Sequence, residues 1–121
     1  MFRFANRKDN IMAKLFIYNL YDETIETYVA QYMNTHDNLM RRDCERIYET
    51  SKNAYAQSPM SPQAGLYKYA SNYMIYKTAE FDDQTGIYTS LDVKEPLLNF
   101  GVFQLAEKDA EIKDNSEIIT K

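Results

Sequence analysis

The side chains able to do covalent or metal chemistry are few. His36 is the only histidine and Cys44 the only cysteine of the 121 residues. Zinc sites built on several histidines or thiolates are therefore excluded, and so is any disulfide within one chain, which points to a reducing compartment. A Ser or Cys nucleophile needs a neighbouring base, and His36 stands in NTHDN at the expected start of a helix, where a solvent-facing or capping role accounts for it. Cys44 falls on an apolar helical stripe and reads as a small buried hydrophobe. Carboxylates gather at Asp22, Glu23 and Glu26 and again at Asp82 and Asp83, a composition able to hold Mg²⁺. Both groups stand where a chain reversal is expected, and backbone hydrogen bonding in turns explains Asp there. With no Walker loop and no GxGxxG string, the sequence predicts no catalytic residue, no metal and no cofactor.

What remains is aromatic. Eleven Tyr and six Phe occur with no Trp, three Gly and three Pro, at a net charge of −4. Tyrosines on a sheet face can stack single-stranded bases, with arginine and lysine contacting phosphates. The candidate nucleic-acid contacts are Tyr18, Tyr28 and Tyr76 with Arg41, Arg42, Arg46, Lys52 and Lys77. The same face could bury itself against a second copy or another protein, because Tyr is enriched at interfaces and twofold dimers are the commonest oligomers. The acidity favours this second reading, since nucleic-acid binders usually carry a basic domain.

The elements that must position these residues follow from periodicity. Residues 1–13 read as a flexible arm of basic character. The runs 14–22 and 25–32, rich in aromatic and β-branched residues, predict two strands of a hairpin. Met40, Cys44, Ile47 and Tyr48 fall at i, i+4, i+7 and i+8, so an amphipathic helix is expected over about residues 38–53. AQSPMSPQAG (56–65) is the strongest loop signal, and 66–69 reads as a short strand or turn. A third strand is expected over 72–81, a DDQTG turn whose Gly86 supplies a positive φ, and a fourth strand over 87–93 ended by Pro96. An apolar closing segment and a polar tail (104–121) of weak helical character complete the chain. The expected fold is α+β in β-β-α-β-β order: one domain over 14–103, a mostly antiparallel four-stranded sheet with one helix on one face. Every apolar run is interrupted by a polar residue, so no membrane span is expected.

The strings themselves are similar to a known family. FIYNLYD, TIETYVAQY and NYMIYKTAEFDDQTGIYTSL, with the EFDDQTG of Glu80 to Gly86 as the most specific piece, resemble the nonstructural protein of gokushovirus-type microviruses, tailless phages with single-stranded DNA genomes. Pro96, Leu97, Leu98, Phe100 and Gly101 resemble the family's closing segment. The likeness spans about Met12 to Phe103. It departs at the arm, at the tail and at LYKYASNY, where the family carries a His-Pro-Glu-Asp-Tyr-like approach to the third strand. The resemblance implies a nonenzymatic accessory protein of the host cytoplasm, absent from the mature virion, that assists viral single-stranded DNA synthesis or packaging. The alternative is a homodimeric interaction module contacting a viral replication or scaffold protein, or a host factor, through a Tyr-rich sheet face.

Overall fold

A computed structural model of the chain describes residues 14–119; the expected arm lies outside them. Four strands, β1 (Lys14–Asp22), β2 (Thr27–Asn34), β3 (Tyr73–Asp82) and β4 (Ile87–Asn99), form one antiparallel sheet in the order β2-β1-β3-β4. Three helices accompany it: α1 (Asp37–Gln57), the single turn α2 (Gly65–Lys68) between two 3-10 turns, and α3 (Gly101–Ile119). The mixed α+β class and the four-stranded antiparallel sheet agree with the sequence pattern; the single helix does not.

Alternation decides which side of the sheet is covered. Tyr18 and Leu20 of β1 and Ile75 of β3 lie under Met40, Cys44 and Tyr48 of α1, and Phe100 and Ala70 close the same core. α1 begins where the His36 carbonyl accepts from the Met40 N–H at 3.1 Å. The exposed His36 side chain makes no cap bond, and Asp37 places a negative charge in the positive first turn. Pro59 follows the helix end, where continuation is disfavoured. Ser51, buried on the inner stripe, donates to the Gln63 carbonyl at 2.7 Å and accepts from the Tyr67 N–H at 2.8 Å. Both bonds pin the 62–67 segment, which is helical: of the strand and turn readings of 66–69, the turn holds, and the expected loop ends in a 3-10 turn.

The remaining departures have local causes. β4 does not end before Pro96. Pro96 pairs opposite Tyr76 on the outermost strand, where a missing N–H costs no ladder bond. α3 occupies the span expected to be a closing segment and a polar tail. It docks through Phe103 and then through polar groups: Gln104 donates to the Tyr67 carbonyl at 2.8 Å, and Glu107 accepts from Tyr48 Oη at 2.9 Å and Lys52 Nζ at 2.6 Å. A helix held by such contacts shows no continuous apolar stripe in sequence.

Turn chemistry explains both carboxylate groups. Asp22 Oδ1 accepts from the Thr24 N–H at 2.9 Å, and Asp82 Oδ1 accepts from the Gln84 N–H at 2.9 Å. Gly86 has φ 76°, a region a side chain rarely adopts. Phe100, fully buried, donates its N–H to the Tyr73 carbonyl at 3.0 Å and joins sheet to α3. Phe100→Ala should cost about 3–5 kcal/mol in urea unfolding, whereas Val102→Ala, exposed two residues on, should stay within about 0.5 kcal/mol.

Candidate interaction face of the sheet

Cross-strand partners share a face, so the residues opposite Tyr21 and Asn19 define the side of the sheet away from α1. Tyr21 pairs with Tyr28 and Met74, and Asn19 pairs with Gln31 and Tyr76. Phe81 and Tyr88 are paired further along the same face. Tyr21, Tyr28 and Tyr76, from three adjacent strands, form one cluster: ring centroids lie 4.9, 6.3 and 6.4 Å apart, with interplanar angles of 60–81°. Edge-to-face packing of this kind contributes about 0.5–1.5 kcal/mol per pair beyond burial and holds the rings in place. Desolvation first, then the charge of Glu26 and the adjacent phenols, push the Tyr21 hydroxyl above its ordinary value.

A cation reaches this cluster by an indirect route. Between the paired positions Lys77 and Ala79, β3 contributes only Thr78. Over the same interval β4 contributes Leu91 to Lys94, between Ser90 and Glu95. The surplus is a bulge within β4. Lys94 Nζ stands 5.1 Å from the Tyr28 ring centroid, although Tyr28 belongs to the opposite edge strand, roughly 14 Å away at three strand spacings. The lysine and tyrosine side chains, reaching toward each other across the face, span that distance.

The sequence-predicted residues separate into three places. Tyr28 and Tyr76 lie together on the open face. Arg41, Arg42 and Arg46 line the solvent side of α1, which packs on the other face. Arg46 is paired with Asp43 at 2.9 Å and Arg41 donates to Asn38 at 2.7 Å. Lys52 is engaged by Glu107 at 2.6 Å. Tyr18 is a correction: it is fully buried beneath α1 and presents no ring for stacking. Its hydroxyl donates to Asp37 at 2.6 Å, and burial first, then this carboxylate, raise its pKa strongly. Lys77 lies on the same covered face, 3.2 Å from Asp37, 3.4 Å from Glu95 and 4.4 Å from the Phe16 ring centroid. It ties the sheet to α1 instead of facing solvent.

Sequence reasoning did not select Tyr21 or Lys94 for the site. Tyr21 had a signal, one of several strand tyrosines; Lys94 had none, because the surplus over 91–94 is a property of pairing. Burial pushes the Cys44 thiol up to about 12, with Asp43 adding to it, so at neutral pH it is a protonated apolar group. Comparison with protein-family models, curated proteins and solved structures returns no match. No helix among the described residues is long and apolar enough to cross a membrane.

Partial burial pushes the Asp37 carboxyl up, but hydrogen bonds from Tyr18 and Lys77 and the charges of Lys77 and Arg41 outweigh it and hold it below its ordinary value. A carboxylate depressed on folding adds stability that is present above its unfolded value, about 3.9, and is lost as pH falls through the folded value. Asp37→Asn should therefore flatten the fall in unfolding free energy below pH about 4. Tyr18→Phe should cost about 1.5–3 kcal/mol at neutral pH by removing a hydrogen bond to a charged group. Denaturant melts across an acid pH series measure both.

Proposed function

We propose that this chain is a nonenzymatic accessory protein of a small single-stranded DNA phage, acting in the host cytoplasm and left out of the mature virion. In this reading it holds single-stranded DNA on the open face of its sheet while viral DNA is synthesised or packaged. The resemblance of residues 12–103 to the nonstructural protein of gokushovirus-type microviruses supplies the DNA context. The observation that carries the mode of binding is the Tyr21, Tyr28, Tyr76 cluster, with Lys94 above it. Aromatics on a four-stranded sheet offer a platform for unstacked bases, each base contributing about 1–3 kcal/mol.

This mode differs from one that grips DNA along α1. Arg41, Arg42 and Arg46 lie on the opposite side of the molecule from the tyrosines, so one short strand does not meet both. With Lys94 as the phosphate contact, log K against log salt should have a slope of about −0.7; three arginine contacts would give about −2.

A second reading is a protein-binding role for the same face, with a viral replication or scaffold protein or a host factor as partner. It is favoured by the net charge of −4 and by the separation of arginines from tyrosines. Titration of a fluorescent oligothymidylate at several salt concentrations decides between them. The DNA reading expects a shallow salt slope, stronger binding of single than double strands, and a loss of about 1–3 kcal/mol in Tyr76→Ala, with Arg42→Ala close to wild type. No binding at low salt removes the DNA reading and leaves the protein partner.

A further inference from the structure

The two edges of the sheet are built differently. β4 carries Asp92, Lys94, Glu95 and Pro96 and the bulge over residues 91–94, the devices by which sheet edges are kept from pairing with other chains. β2, at the other edge, reads TYVAQYMN: no charged residue and no proline, in a chain in which 26% of residues are charged. Val29 and Met33 are each 46% exposed on it and Tyr28 39%. The irregularity that places Val29 between the paired positions Tyr28 and Ala30 leaves Ala30 to Asn34 as the regular stretch.

We propose that β2 pairs antiparallel with β2 of a second copy, centred on Tyr32, joining two four-stranded sheets into one of eight strands about a twofold axis. A second copy is the occupant because a twofold contact sets a strand against itself. A charge near that axis would lie close to its own copy, and every side chain from Thr27 to Asn34 is neutral, although each chain carries a net charge of −4. Centring on Tyr32 sets Gln31 opposite the partner's Met33 on the open face. On the covered face it brings the two Tyr32 side chains together beside a cleft of about 460 Å³ lined in part by Tyr32, Ile47, Thr50 and Leu66. Main-chain ladder bonds would supply affinity and these side chains register. The tyrosine clusters of the two copies would then share one continuous face.

Sedimentation equilibrium on the full chain tests this. Wild type should show a concentration-dependent mass approaching twice 14.2 kDa. Gln31→Lys combined with Met33→Lys should weaken association roughly a hundredfold or more with an unchanged circular dichroism spectrum, and so should the paired Glu substitutions. Mixing the Lys and Glu variants should restore the two-chain mass. Ser90→Lys, on the other edge strand, should leave it unaltered. A wild type of one-chain mass at hundreds of micromolar, or a dimer that survives both charged pairs, overturns the proposal. Oligothymidylate titration of the Lys and Glu variants separates this result from the DNA reading, which does not require the dimer.

Discussion

The contact on which the rest depends is the burial of Tyr18 beneath α1, with its hydroxyl on Asp37 and Lys77 on the same carboxylate. A strand exposes alternate residues to opposite sides, so fixing Tyr18 against the helix fixes Phe16, Leu20 and Asp22 on that side and sends Asn19 and Tyr21 to the other. The paired strands follow: Tyr32 and Ile75 go under α1, and Tyr28 and Tyr76 go to the face away from it. One phenol, one carboxylate and one ammonium group thus allocate the aromatic side chains. The cost of burying three polar groups is offset by their mutual bonds, and no described buried side-chain polar atom lacks a partner.

That allocation also separates charge from aromaticity. The arginines of α1 are held away from the open face by the same stripe, Met40, Cys44 and Tyr48, that seats the helix. Lys77 is neutralised by Asp37 and Glu95. Among the described residues, Lys94 in the 91–94 bulge is the cation that returns to the tyrosines. In the proposed DNA reading, binding through this face would rely on stacking more than on counterion release. α3 plays a different part, closing the end of the core through Phe100 and tying Tyr48 and Lys52 together through Glu107.

Much of this was legible in the residues. The period-two runs gave β1 and β3 within a residue, and the stripe from Met40 to Tyr48 located α1. DDQTG gave its turn because Asp and Gly have specific backbone roles there. What was hidden depended on pairing or on partners distant in sequence. α3 is held by Gln104 and Glu107 reaching Tyr67, Tyr48 and Lys52, which no local pattern encodes. The bulge that carries Lys94 arises from unequal residue counts on two paired strands. Tyr18, Tyr28 and Tyr76 are alike as residues; only the register tells the one buried beneath α1 from the two on the other face.

The proposed function resides on the face opposite α1. Ring-proton NMR of tyrosine-labelled protein during addition of a short oligothymidylate tests it most directly. Shifts confined to Tyr21, Tyr28 and Tyr76, with Tyr18 and Tyr48 unmoved, are expected. Shifts that instead cluster on α1 around Arg41, Arg42 and Arg46, seen in a parallel backbone amide spectrum, would contradict it.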